Sequence, residues 1–151
     1  MTENIEDLLS AQGFYVSTTV GMSMWPMLKN RRDRIVISSV GDRQLRRLDV
    51  PLYRRPDGKY ILHRILWVKE DHYVIRGDNT YALERVPKEW VIGYLTEFYR
   101  KGKHIKTDSR AYRCYAAVWH FLYFPRLCWS FLRRGAGKIK RILFSKKKKN
   151  A

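Results

Sequence analysis

The chain has 151 residues, with 31 Lys or Arg against 14 Asp or Glu, a net charge of +17, and 45% hydrophobic residues. That length holds one domain with a modest core plus an appendage, and that apolar content excludes a chain disordered throughout. Two cysteines, Cys114 and Cys128, are too few for a disulfide framework and read as small hydrophobes. No Gly-rich phosphate loop and no metal-ligand spacing occur, so no cofactor and no metal are expected.

The opening Met1-Thr2-Glu3-Asn4-Ile5-Glu6-Asp7 is acidic and lacks the apolar region of a cleavable signal peptide. Residues 1–20 carry too little apolar sequence to span a bilayer. Ile5, Leu8 and Leu9 instead fall at helical spacing and predict one short amphipathic helix. Gly13 breaks it ahead of a strand over residues 15–19. Next comes Gly21-Met22-Ser23-Met24-Trp25-Pro26-Met27-Leu28, in which Pro26 stiffens a turn and supplies no N–H.

β-branched and aromatic runs predict strands over residues 34–38, 49–54, 60–68, 72–76 and 90–98. Pro51 removes a ladder donor, which places its strand at an edge or at a bulge. Pro56-Asp57-Gly58 is the turn joining the second and third of these strands, and Gly77-Asp78-Asn79-Thr80 is a second turn signal. Many short strands at even spacing make the chain mainly β, a small antiparallel β-barrel or coiled sheet.

After about Arg100 the character changes. Residues 111–132 are dense in aromatics but interrupted by Arg113, His120 and Arg126, and Pro125 ends or kinks any helix there. Lys146 to Lys149 follow as a basic run. A mid-span Arg costs roughly 2.5–3.5 kcal/mol on membrane-insertion scales, so a spanning helix is disfavoured. Aromatic-plus-basic composition suits a helical segment lying in the headgroup interface of an anionic membrane, ahead of a poorly formed spanning helix or one packed on the barrel. The division expected is residues 1–106 as the β domain, which carries the candidate catalytic residues named below, and 107–151 as a membrane-associating appendage. A nucleic acid is the rival partner for the positive charge, but the chain shows no N-terminal helix-turn-helix, and a membrane surface is favoured.

Within the predicted strands and turns lie a hydroxyl, an imidazole and a carboxylate: Ser23, His63 and Asp78. A serine hydroxyl is barely nucleophilic near neutrality and needs a base to take its proton. Histidine titrates in that range, and it in turn needs an acceptor to fix its tautomer and stabilise the imidazolium. Asp78 is one candidate acceptor and Glu84 another, and sequence does not choose between them. The Ser23 amide is a natural oxyanion donor. His72, His104 and His120 have no matching partners and receive no role.

Ser23-Met24-Trp25-Pro26-Met27-Leu28, Lys59-Tyr60-Ile61-Leu62-His63-Arg64-Ile65 and Ile75-Arg76-Gly77-Asp78-Asn79, in that order, resemble the nucleophile, base and Gly-Asp-Asn boxes of type I signal peptidases and the wider serine peptidase group to which they belong. The similarity covers roughly residues 15 to 97. His63 stands where the bacterial leader peptidases carry Lys, as in the archaeal and endoplasmic-reticulum branch, and that branch carries a second acid near the position of Glu84. Typical members also have a transmembrane anchor just ahead of the serine box, and residues 1–20 are not expected to supply one, which sets the membrane topology apart from theirs. The resemblance implies a serine endopeptidase cleaving a signal or leader peptide without a cofactor. Two alternatives remain: a peptide-binding or regulatory module of the same fold without turnover, and a nucleic-acid-linked autoprotease like the group's self-cleaving repressors.

Overall fold

The computed structural model describes residues 5–123 and 125–128. Helix α1 (Ile5–Gln12) buries Leu9 and ends at Gly13, whose φ of +76° is left-handed and whose N–H returns to the Leu9 carbonyl at 3.0 Å. Glycine adopts that conformation without a Cβ penalty, so the predicted break is a helix C-cap. Strands β1 (Phe14–Thr18), β2 (Arg34–Ser39), β3 (Pro51–Arg54), β4 (Tyr60–Leu62), β5 (Arg64–Val68), β6 (His72–Arg76), β7 (Glu84–Pro87), β8 (Val91–Arg100) and β9 (Lys103–Lys106) follow, and helix α2 (Arg110–Phe121) comes last. Ser109 caps α2, accepting the Tyr112 N–H at 3.3 Å.

The protein is mainly β, a curled antiparallel half-barrel with a C-terminal helix. One sheet runs β1-β2-β8-β3-β4, and the other runs β5-β6-β7. β8 is the hinge of the first sheet. It pairs with β2 along one side, and along the other with β3 through Val91 to Tyr94 and with β9 through Glu97 to Arg100. Alternation in β2 sends Ile35 and Ile37 inward to meet Leu95 and Phe98 of β8. A second core, Leu45, Tyr53, Ile65, Tyr73, Ile75 and Val86, lies under the smaller sheet.

Three features depart from the sequence-based expectation. The run over residues 60–68 is two strands, broken at His63: Leu62 pairs with Leu52 in the large sheet and Arg64 with Arg76 in the small one. Of the two places expected for the Pro51 strand, the edge does not hold, since β3 is interior between β8 and β4, while the irregularity does. Pro51 is tolerated as its first residue, with a register shift against β8 at Leu52/Tyr53. β7 and β9 were not expected, and each is a short strand completed by pairing with β6 or β8.

The chain divides into two compact units, Met1–Ala117 and Val118–Ala151. The first therefore runs past the expected boundary at residue 106, because Tyr112 and Ala116 are buried in its core. In the second, Arg126 stacks 3.8 Å over the Trp119 ring. α2 ends at Phe121, four residues ahead of Pro125, but Tyr123 and residues 125–128 are helical again, with the Arg126 N–H donating to the Leu122 carbonyl at 3.1 Å, so helical structure continues past the proline. Among the described residues, no helix is long and apolar enough to cross a membrane. Of the expected membrane-associating appendage, residues 124 and 129–151, with the lysine run, lie outside the described residues.

Candidate active site

The Ser23 segment is a loop closed at its base by two buried polar residues. Thr19 donates its N–H to the Asp33 carbonyl at 3.1 Å, and its hydroxyl reaches the Lys29 carbonyl at 3.1 Å. The fully buried Asp33 carboxylate accepts the Lys29 N–H at 2.8 Å and the Arg32 guanidinium at 2.6 and 3.0 Å. Burial alone would raise the Asp33 pKa, but these bonds, with the charges of Arg32 and Arg100, hold it below the ordinary value. Above this base Met24, Met27 and Leu28 plug into the large core. Burial of each stabilises the loop by roughly 1.5–3 kcal/mol. The apolar residues after Ser23 are its anchors, and they leave Ser23 itself partly exposed.

From the other side the Gly77-Asp78-Asn79 turn clamps this loop. The Asn79 N–H donates to the Ser23 carbonyl at 2.7 Å, and its side-chain amide donates to the Met22 carbonyl at 3.2 Å. Gly77 lies flat beneath, where a Cβ would come within 2.7 Å of the Ser23 carbonyl oxygen and 3.0 Å of its Cβ.

Asp78 is buried, and its carboxylate is gripped by the Arg64 fork: Nε to Oδ1 at 2.8 Å and Nη2 to Oδ2 at 2.7 Å. Arg64 is 1% exposed, and its remaining donors reach the Leu48 carbonyl, the Tyr112 hydroxyl and the Met27 sulfur. Burial disfavours its charge, but Asp78 and Tyr112 more than offset this and hold it protonated. Asp78 thus joins the segment after His63 to the segment under Ser23. Arg64 within an apolar run is the signal that could have pointed to this pairing, since a buried charge needs a partner.

His63 occupies the corner where the chain leaves one sheet for the other, with its N–H toward the Pro51 carbonyl at 3.4 Å. Its Nδ1 stands 3.5 Å from the hydroxyl of Tyr53, a fully buried residue of β3. Tyr53 in turn donates to one oxygen of Glu84, and Arg55 donates to the other. Tyr53 and Arg55 are two residues apart, which puts them on one side of extended chain. Desolvation lowers the His63 pKa from its ordinary value. Glu84 opposes the shift, Arg55 adds to it, and Asp78 opposes it more weakly. No hydrogen bond joins Ser23 to His63 among the described residues. Sequence reasoning missed Tyr53 and Arg55, because the run through residues 52–55 reads as an ordinary strand end.

The other histidines lie elsewhere: His72 pairs with Asp71 at 2.6 Å and His104 with Glu97 at 2.7 Å, all at the surface or near it. Cys114 and Cys128, read from sequence as small hydrophobes, are free and exposed. Among the described residues no group of His, Cys and carboxylates is placed to hold a metal.

A groove of about 200 Å³ opens beside Ser23, between β1 and β4. Tyr15, Ser17 and Thr18 line one wall and Tyr60, Ile61 and Leu62 the other. These two strands are the ends of the large sheet, so both present unpaired edges. Compared with models of known families and with curated proteins, the chain matches none.

Proposed function

We propose that the chain is a serine endopeptidase of the signal-peptidase type, with Ser23 as nucleophile and His63 as general base. The observation that carries this reading is the position of Ser23: it is clamped by Asn79 over Gly77 at the end of a groove between two unpaired strand edges. An extended peptide fits there by adding a strand, its main chain hydrogen bonding to β1 or β4. The small groove volume favours small side chains next to the scissile bond, as in a signal or leader peptide. The Ser23 N–H has no acceptor among the described residues, as an oxyanion donor requires. Catalytic hydrogen bonds commonly close only around bound substrate, which accommodates the open Ser23–His63 pair. The basic, aromatic C-terminal segment would hold the enzyme against an anionic membrane surface.

The test is single-turnover cleavage of signal-like peptides, read by mass spectrometry. Wild type cleaves, and Ser23→Ala and His63→Ala do not; cleavage by Ser23→Ala at the wild-type rate would refute the assignment. The open Ser23–His63 pair also favours a second reading, a peptide-binding module without turnover. Under that reading peptides bind wild type and Ser23→Ala equally, and neither cleaves them.

A further inference from the structure

We propose that Tyr53 is a positioning residue that links Glu84 to His63 and fixes which imidazole nitrogen acts as the base. The inference rests on the reading of His63 as general base. Glu84 as a carboxylate only accepts hydrogen bonds, so the Tyr53 phenol spends its single proton on Glu84. Toward His63, 3.5 Å away, the phenol oxygen can then only accept. That arrangement selects the tautomer with the proton on Nδ1 and leaves the Nε2 lone pair free. Arg55 holds the second Glu84 oxygen, so the carboxylate cannot turn away to release Tyr53.

Tyr53 is 0% exposed, and burial followed by the Glu84 contact drives its pKa far above the ordinary phenol value, so it stays neutral. Asp78, the other acid, is committed to the buried Arg64 fork. The charged groups acting on His63 are therefore Glu84 and Arg55 across Tyr53, with Asp78 beyond. During acylation the Ser23 proton moves to Nε2 while the Ser23 oxygen bonds the scissile carbonyl carbon. Nδ1 and Tyr53 keep their protons and Glu84 stays a carboxylate; the scissile C–N bond then breaks as Nε2 delivers its proton to the leaving amine. Glu84 stabilises the transient imidazolium through the phenol and without direct contact.

The tautomer is read on the full-length chain by nitrogen-15 NMR of the histidine rings, with no substrate present. Wild-type His63 is expected as the Nδ1–H form above its pKa, and Tyr53→Phe shifts it toward the Nε2–H form favoured by free imidazole. Glu84→Gln, which keeps the side-chain shape, removes a charge that raises the His63 pKa, so His63 titrates lower still. In peptide cleavage Tyr53→Phe lowers kcat on the order of 10- to 100-fold, a fraction of a general base's contribution, with little change in KM. An unchanged tautomer in Tyr53→Phe overturns the link whether or not the chain turns over. A wild type that cleaves nothing overturns the peptidase reading, and the link is then judged by the NMR alone.

Discussion

Gly77 lies so close under Ser23 that a Cβ on it would stand 2.7 Å from the Ser23 carbonyl oxygen, a contact real Cβ atoms do not make. The glycine is required by this approach of two backbones, since its φ is not in the left-handed region. It lets Asn79 donate to the Ser23 carbonyl and so sets the height of Ser23 over the turn.

Gly77→Ala therefore displaces the Ser23 loop. Overpacking of this kind costs about 1–3 kcal/mol. The chain is expected to stay folded by circular dichroism while peptide cleavage falls more than tenfold, since small misplacements of a nucleophile are expensive. Unchanged cleavage in a folded Gly77→Ala protein would separate the turn from the function of Ser23.

Asp78 gives a different signature. Its removal leaves the Arg64 guanidinium buried and unpaired, at a cost of about 3–5 kcal/mol. Asp78→Ala is thus expected to lower the melting temperature steeply, as is Arg64→Ala. Exchange of both for apolar residues of similar volume restores much of the stability, because the buried pair itself contributes little net. If Asp78→Ala melts like wild type yet loses activity, Asp78 acts on the chemistry directly.

How much of this was legible in the sequence depends on the range of the forces involved. Helix α1 and its Gly13 cap, and β1, β2 and β6, are written in local spacing and appear within a residue or so of expectation. The break at His63 is not, since both halves of residues 60–68 are apolar and only distant partners, Leu52 and Arg76, assign them to different sheets. β7 and β9 are four residues each, half of them charged, and become strands through neighbours already in place. In the candidate site the Ser23 loop and the Gly77-Asp78-Asn79 turn were readable from residue type, while the hydrogen bonds from Asn79 that clamp one to the other were not. The carboxylate partners were not. Asp78 turns to Arg64, and Glu84 reaches toward His63 only by way of Tyr53, a residue that reads as core.

The pH dependence follows from the environment of His63. Desolvation lowers its pKa below the ordinary 6.5, only partly offset by Glu84 and Asp78. A base must be neutral to accept a proton, so kcat/KM is expected to rise with pH on a limb whose midpoint lies below 6.5. Stability carries the same sign. The unfolded chain binds a proton on His63 at higher pH than the folded one, so this contribution is present above the unfolded pKa and is lost as pH falls through the folded one. An activity limb centred above about pH 8.5 would point to a lysine base, which the ordinary range of imidazole does not reach.

The C-terminal segment is testable by truncation, and the place of the cut matters. A chain ending at Lys106 loses Tyr112, which is buried against Phe98 and bonds Arg64 at 3.0 Å. Loss of a core aromatic costs about 3–5 kcal/mol, so this shorter chain is expected to be unstable whatever the segment does at a membrane. A chain ending at Ala117 keeps the whole first unit and removes Arg126, Arg133, Arg134 and the lysine run. Each Lys or Arg beside an anionic surface contributes about 1 kcal/mol, screened by salt. In flotation with vesicles containing phosphatidylserine, the full chain is expected to bind at low salt and release at high salt. The chain ending at Ala117 is expected to stay in solution and still cleave soluble peptide. If truncation leaves vesicle binding unchanged, the docking surface lies within the first unit. If binding of the full chain resists both high salt and alkaline extraction, the segment is inserted in the bilayer, and the interfacial reading is wrong.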